Sequence, residues 1–278
     1  MAALDGDGTD DASLETVQRI AERLNSDLMR RSRVEAQAGA EVIVWSEHAA
    51  RVTATTEMEL IQRAQDIARE FSVLMVVGVG AWHPNADTRF ENKAVIVTSE
   101  GKHAATYWKA KPIVGQESSL IEQGNQTVDI LDTQRARFAT AICHDLDFAD
   151  FVRQVGRNRV GILLAPSSDW EAITPLHPRM AVVRSVENGC SLVRPCGSGL
   201  SLAVDAFGRV LARQNDDGPE GGVMISHVPA RRRTTLYPKV GDLFAYLNLV
   251  ALVFLLARAA PKALTGGTRR SREIRNEQ

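Results

Sequence analysis

The spacing of apolar residues changes repeatedly along the chain, and each change marks an element. Val17, Ile20, Ala21, Leu24 and Leu28 recur at helical spacing, which predicts one amphipathic helix over about residues 13–38. EVIVW at 41–45 and VLMVVGV at 73–79 are short continuous apolar runs, the pattern of strands covered on both faces, and a helical stretch at 56–70 separates them. That is a β-α-β rhythm. KAVIVT, the turn SEGK and HAATYW then read as an antiparallel hairpin turning at Gly101.

RFATAI at 137–142 and VGILLA at 160–165 read as strands flanking a short helix. A helix from about Pro178 to Asn188 stops at Gly189, a C-cap residue. SGLSLAVDAFGRVLAR predicts a second hairpin turning at Asp205 to Gly208, and GGVMISHV a further strand. The sum is an α/β protein with a mixed sheet or a pair of sheets. Residues 1–12 are acidic and read as a disordered tail. Three regions follow: a tail and helix over 1–40, a catalytic-sized domain over 41–236, and a hydrophobic segment with a basic tail over 237–278.

LFAYLNLVALVFLLARAA at 243–260 is the one strongly hydrophobic segment. Its apolar run before Arg258 is about 15 residues, short of the roughly 20 a spanning helix needs, but Arg258 could snorkel and extend it. Because Arg269, Arg270, Arg272 and Arg275 follow at once, the segment is expected to associate with a membrane as a helix. An interfacial or buried helix is the competing reading. Six basic residues follow Leu256 and four (Arg231, Arg232, Arg233, Lys239) precede Leu243. That bias favours a cytoplasmic C-terminus with the domain outside. The start, MAALDGDGTDDASLE, has no signal-peptide pattern, which leaves a cytoplasmic protein as the alternative.

Composition removes several functions. The formal charge is −1, with 33 basic against 34 acidic residues, so no global field favours nucleic acid. The three cysteines, Cys143, Cys190 and Cys196, form no CxxC or Cys/His cluster of ligand spacing. The sequence assigns no disulfide framework, no metal, no cofactor and no oligomeric state.

Three reactive side chains fall where predicted strands end: Glu47 after EVIVW, Lys109 after HAATYW and Cys143 after RFATAI. Strand ends open onto the crevice where α/β proteins build sites. A thiol is an effective nucleophile once a base removes its proton, and a carboxylate whose pKa is raised in a dry pocket suits that role. An ammonium, with the backbone N–H beyond the nucleophile, would stabilise the oxyanion formed on attack. Alone, each residue has a plain alternative: a core cysteine, or solvated loop charges. Lys111 competes with Lys109 for the oxyanion role, and His177 offers a Cys–His pairing with Cys143. His144 adjoins Cys143, but neighbouring side chains in an extended or turned segment diverge. Asp145 either hydrogen-bonds near the elbow or caps the next helix. Cys190 and Cys196 read as packing residues.

WSEHA at 45–49, YWKAK at 107–111 and ICHDLDF at 142–148 resemble the Glu, Lys and Cys motifs of the nitrilase (carbon–nitrogen hydrolase) superfamily, in the same chain order. The resemblance spans roughly residues 41–230. It implies a four-layer αββα sandwich with a Glu47–Lys109–Cys143 triad, and Glu117 in the position of a second, supporting glutamate. VWSE, the Lys109 to Glu117 spacing, HPRMAVVRSVENG before SGLSLAVDAFGRV, and TTLYPKVGD before the apolar segment are similar to the apolipoprotein N-acyltransferases. That similarity implies phospholipid as acyl donor, a lipoprotein amino terminus as acceptor, and a chain truncated at its N-terminus. Hydrolysis of a small amide is the alternative function, and an inactive scaffold a further one. Ser46 stands where the family has proline, KPIVGQE replaces an HLVPFGE-like stretch, and Cys-His-Asp replaces Cys-Tyr-Glu.

Overall fold

The computed structural model describes residues 11–83, 90–215 and 222–265. The acidic tail expected at 1–12 lies almost wholly outside them. Its chain divides at Pro238/Lys239 into two units, taken separately below.

The larger unit begins with α1 (Asp11–Gln37), β1 (Val42–Val44), β2 (Ala50–Thr53), α2 (Glu57–Phe71), β3 (Leu74–Trp82), β4 (Phe90–Val97) and β5 (His103–Trp108). β1 and β2 both pair in parallel with β3, and β3, β4 and β5 run antiparallel in turn, so β1, β3 and β5 point the same way. The side chains of β3 alternate between two cores, as period-two geometry demands. Met75, Val77 and Val79 pack with Leu60, Ala64 and Ile67 of α2 and Met29 of α1. Leu74 and Val76 face the other way, into a core shared with the second sheet. This two-sided burial explains the unbroken apolar run that sequence reading took as a covered strand.

The second sheet is built from β6 (Asp129–Asp132), β7 (Arg137–Thr140), β8 (Ile162–Leu164), β10 (Ser191–Arg194), β12 (Leu200–Val204) and β13 (Val210–Asn215), in the order β13-β12-β10-β8-β7-β6. Between β7 and β8 come a 3-10 turn (Cys143–Asp147) and α3 (Ala149–Arg157); α4 (His177–Asn188) precedes β10. β9 (Ser167–Ser168) and β11 (Cys196–Gly197) form a small parallel pair beside the sheet. Phe138, Leu163, Leu192 and Leu202 join Leu74, Val76, Ala94 and Ile96 in one core with Phe151, Val152 and Val155 of α3 and Ala181 of α4. Burying each such large apolar side chain contributes about 1.5–3 kcal/mol. The layers are therefore helix, sheet, sheet, helix: the expected αββα sandwich.

The helices and hairpins stand where the apolar pattern puts them, with Gly101 and Gly208 left-handed at the turns and Gly189 left-handed after α4. GGVMISHV does not form the strand it predicts; residues 222–230 carry no strand. Val223 and Ile225 stay exposed while Val228 packs against the core, but the segment makes no ladder, and the Pro229 carbonyl accepts the Ser191 hydroxyl instead. The larger unit ends within a short helix, α5 (Tyr237–Val240).

The second unit carries α6 (Leu243–Thr265). Phe244, Leu247, Leu249, Val250, Phe254 and Leu255 are exposed on it. Among the described residues no helix is long and apolar enough to cross a membrane. The spanning helix expected over 243–260 is thus corrected to a helix with exposed apolar side chains, because the polar groups from Arg258 onward cut its apolar run short.

Candidate active site

Each candidate side chain leaves a strand at the same end of its sheet. Lys109 directly follows β5, Glu47 lies just past β1 and Cys143 just past β7. Backbone contacts bring the sheets into register there. The Pro166 carbonyl accepts the Cys143 N–H at 2.9 Å, and the Ser167 carbonyl accepts the Glu47 N–H at 3.2 Å. The Ser168 carbonyl lies 3.5 Å from Cys143 Sγ. One segment, Pro166–Ser168, therefore gauges the separation of Glu47 from Cys143. On the opposite side, Gly78 of β3 passes so close to the Glu47 segment that an added Cβ would sit 1.9 Å from the Ser46 carbonyl oxygen. No other residue fits.

The charges converge on Lys109, whose side chain is buried. Its Nζ donates to Glu47 Oε1 at 2.9 Å and to both Glu117 oxygens at 2.9 and 2.7 Å. Glu117 is held in turn by the Ile113 N–H at 2.8 Å. Asn92 of β4 donates to Glu47 Oε1 at 2.7 Å, and its carbonyl accepts the Lys109 N–H. Sequence reading missed Asn92. It stands between Glu91 and Lys93 at the polar start of FENKAVIV, where nothing in the sequence sets it apart.

This geometry overturns the expected electrostatics of Glu47. Burial alone would raise its pKa, but the adjacent Lys109 ammonium, His48 and the Asn92 amide together outweigh burial and hold the carboxyl down at about 2. Lys109 shows the mirror effect: burial opposes its charge, yet the Glu47 and Glu117 carboxylates raise its pKa above the usual lysine value. Burial pushes the Cys143 thiol well above its ordinary value, with the Glu47 charge adding to the rise and Lys109 opposing it. The proton therefore belongs on sulfur, and the negative charge on Glu47.

Cys143 sits on a strained backbone, with φ 46°. Such a left-handed conformation costs a non-glycine residue about 1–3 kcal/mol and persists where its surroundings over-determine it. Asp145 supplies part of that constraint. Its Oδ2 accepts the Ile142 N–H at 2.8 Å and the Tyr107 hydroxyl at 2.6 Å, while Oδ1 accepts the Lys111 N–H at 2.7 Å. Of the two roles considered for Asp145, the elbow role is the one observed. Burial raises its pKa to about 6 despite these donors.

The remaining candidates separate cleanly. Lys111 Nζ lies 5.0 Å from the centre of the Phe148 ring rather than among the carboxylates. His144 Nδ1 meets the Lys111 carbonyl at 2.9 Å, diverging from the thiol as expected. His177 does approach Cys143, but both its ring nitrogens face carboxylates: Nδ1 is 2.7 Å from Asp169 Oδ1 and Nε2 is 3.1 Å from Asp147 Oδ1. It is therefore placed to hold charge rather than to accept a proton from sulfur. Cys190 and Cys196 are buried thiols, each pushed up to about 12 by burial.

Two side-chain sets have the donor types of a cation site, Glu47 with His48 and Glu117, and Cys143 with Asp169 and His177, each with donor atoms within 4.8 Å of one another. In the first the Lys109 ammonium already occupies both carboxylates. In the second the Arg194 guanidinium lies 2.7 Å from Asp169 Oδ1. A metal would have to displace a cation in either place.

Comparison with known proteins bears on the family and the fold. Relatives include apolipoprotein N-acyltransferases from Rhodopseudomonas palustris, 38% identical over 119 residues (41% of this chain, 22% of the relative), and from Haemophilus influenzae, 33% identical over 142 residues (50% and 26%). One from Geobacter metallireducens is 26% identical over 252 residues, covering 83% of this chain and 48% of the relative. The chain spans about half or less of the length of these relatives. Among solved structures, an amidase from Nesterenkonia sp. AN1, described with acrylamide added at its active-site cysteine, superposes with a TM-score of 0.67 at 18% identity, covering 82% of this chain and 94% of that one. A further structure of an amidase from Nesterenkonia sp. gives 0.66 at 19% identity, covering 82% and 90%. The carbon–nitrogen hydrolase family profile matches residues 11–237, most of the chain, and the protein is an enzyme belonging to that family.

Proposed function

We propose that the protein transfers an acyl group through a thioester on Cys143, from a lipid ester to an amine. The observation that carries this reading is the buried Lys109 ammonium shared by Glu47 and Glu117 beside a cysteine on a strained elbow. When an acyl carbonyl enters, its developing oxyanion competes for the Lys109 N–H groups, together with the backbone N–H of His144. Drawing Lys109 toward the oxyanion frees Glu47 from the charge that depresses its pKa, so its basicity rises as attack begins. Glu47 then takes the thiol proton while sulfur bonds to the carbonyl carbon. The tetrahedral intermediate collapses to the thioester, and the leaving alcohol takes the proton back from Glu47. An amine then attacks the thioester, gives up its own proton to Glu47, and Cys143 departs as the thiol once more.

The names of the sequence relatives support phospholipid as donor and a lipoprotein amino terminus as acceptor. The exposed Phe148, Trp170 and Leu176, on segments adjoining the site, and the apolar surface of α6 suit a lipid donor and association with a membrane surface. With water in place of the amine, the same steps hydrolyse a small amide.

Intact-mass analysis after incubation with phospholipid, no amine being added, tests the reading. The expected result is one added acyl chain, mapped to the peptide bearing Cys143 and lost in Cys143→Ala. Labelling by small amides or activated esters alone would make the enzyme a hydrolase. An unlabelled Cys143 that alkylates no faster than Cys190 or Cys196 would leave the thioester mechanism without its nucleophile.

A further inference from the structure

A second charged cluster touches Cys143, and the thioester mechanism makes no use of it. Arg194 of β10 is wholly buried; its Nη2 donates to Asp169 Oδ1 at 2.7 Å and its Nη1 to the Leu200 carbonyl at 3.2 Å. His177, the first residue of α4, lies between Asp169 and Asp147 at 2.7 and 3.1 Å. Cys143 Sγ, an Asp169 oxygen and a His177 nitrogen all fall within 4.8 Å of one another. Buried ion clusters of this kind are weak stabilisers, because desolvating the charges offsets most of their attraction. Placing a cation at a helix N-terminus also opposes the helix dipole. What the cluster supplies must lie in its position.

The position of His177 between two carboxylates favours its charged form. Nδ1 lies at hydrogen-bond distance from Asp169 Oδ1, whereas Nε2 and Asp147 Oδ1 make an ion-pair contact at 3.1 Å without a hydrogen bond. A neutral imidazole would set a lone pair against one of these carboxylates; an imidazolium is attracted by both. Arg194 Nη2, 3.1 Å from Nδ1, then shares the Asp169 oxygen instead of donating to the ring. The two carboxylates it joins belong to the two pieces of backbone that define the nucleophile. Asp147 ends the 3-10 turn that begins with Cys143. Asp169 directly follows Ser168, in the segment that gauges both Glu47 and the thiol. Cutting that tie would let the elbow relax away from its left-handed backbone.

We infer that His177, as an imidazolium clamped between Asp147 and Asp169 and backed by Arg194, is a positioning residue that holds the Cys143 elbow against the Pro166–Ser168 segment. This rests on Cys143 being the nucleophile. The clamp is pH-sensitive. Burial opposes the charge on His177, but the two carboxylates overcome burial and Arg194 and raise its pKa to about 9. The other groups facing the clamp are His144, 3.8 Å from Asp147, and the thiols of Cys143 and Cys196, whose pKa values respond to Arg194.

The test is the rate of Cys143 alkylation by iodoacetamide from pH 6 to 10.5, followed by peptide mapping in the full chain and in His177→Gln. Misplacing a reacting group costs about 10- to 100-fold, so wild type should react about tenfold faster than His177→Gln at pH 7. That ratio should collapse toward one as pH passes about 9 and wild type loses the same proton. A ratio of one throughout, or a constant ratio that ignores pH, overturns the proposal; the second outcome would make His177 a structural residue only. If His177→Gln does not fold, Asp147→Asn decides in its place, since it removes the elbow's end of the clamp and should give the same collapsing ratio. Failure of the nucleophile reading looks different: wild-type Cys143 would then react no faster than Cys190 and Cys196.

Discussion

Cys143 stands between two buried charge clusters built on opposite plans. On one side Lys109 is a single cation shared by two carboxylates, Glu47 and Glu117. On the other, two cations, Arg194 and His177, share two carboxylates, Asp169 and Asp147. The first cluster has an excess of negative charge around one cation, which in the proposed mechanism an arriving oxyanion draws away. The second is balanced, and every carboxylate in it is tied to backbone that the nucleophile depends on. One side is arranged to change during the reaction, the other to stay still. Substitutions on the two sides should therefore fail differently.

The largest effect is expected from Lys109→Met. It removes the proposed oxyanion donor, worth about 10²–10³ in turnover, and strands two buried carboxylates without their counter-charge, a loss of about 3–5 kcal/mol for a broken buried pair. Turnover and melting temperature should fall together, whereas Lys111→Met should change neither. A Lys109→Met protein with near-wild-type activity would place the oxyanion elsewhere. Glu47→Gln comes next. Its amide oxygen can still accept from Lys109 and Asn92, and Glu117 still pairs with Lys109, so the loss of stability should be smaller than in Lys109→Met while acylation drops by about 10²–10⁴, the size of a general-base contribution. Equal losses of stability in the two variants would erase the distinction between cation and base.

Gly78→Ala approaches the same base through the backbone. The added methyl cannot coexist with the Ser46 carbonyl 1.9 Å away, so either β3 or the Glu47 segment must move. The expected cost is about 1–3 kcal/mol from overpacking, with acylation falling further than that loss of folded protein explains. Unchanged acylation per folded molecule would show that the Glu47 position tolerates the shift.

The two clusters should also divide the pH dependence of stability. Glu47 has a lowered folded pKa, so its contribution is present above its unfolded value of 4.5 and is lost as pH falls toward about 2. His177 has a raised one, so its contribution is complete below 6.5 and is lost as pH rises through about 9. Urea unfolding across pH should show a weaker acid limb in Glu47→Gln and a weaker alkaline limb in His177→Gln. If either variant flattens the limb assigned to the other, the clusters are not independent.

How much of this was legible in the sequence depended on how each residue is held. Glu47, Lys109 and Cys143 sit at or just beyond strand ends, and Glu117 at a fixed spacing after Lys109, in motifs whose order and spacing survive in the linear sequence. The helices and hairpins were legible because burial on one or both faces imposes a period. The depressed Glu47 pKa was not, since it depends on where a side chain 62 positions away puts its ammonium. Arg194 and Asp169 were equally hidden. Arginine in a strand reads as a solvent-facing residue until the carboxylate that neutralises it, Asp169, 25 positions upstream, comes into view. GGVMISHV misled for the opposite reason: it has a strand's alternation, and Val228 packs on the core, but no ladder forms along it.

The smallest effect on the chemistry is expected from deleting residues 239–278. Both hydrophobic cores are made entirely of residues before this point, and so are both charge clusters. Alkylation of Cys143 and turnover of a short activated ester should therefore stay near wild type. Lipid is where the deletion should show. α6 exposes a run of large apolar side chains from Leu243 to Leu256, and each buried CH₂ group contributes about 0.8 kcal/mol on leaving water. Even partial immersion of that surface would hold the chain on a bilayer. Flotation with phospholipid vesicles should carry the full chain upward and leave the deletion behind, with acylation from vesicle lipid falling while the short ester is still turned over. If both proteins float equally, the apolar helix is not what meets the lipid, and the exposed Phe148, Trp170 and Leu176 become the surface to substitute next.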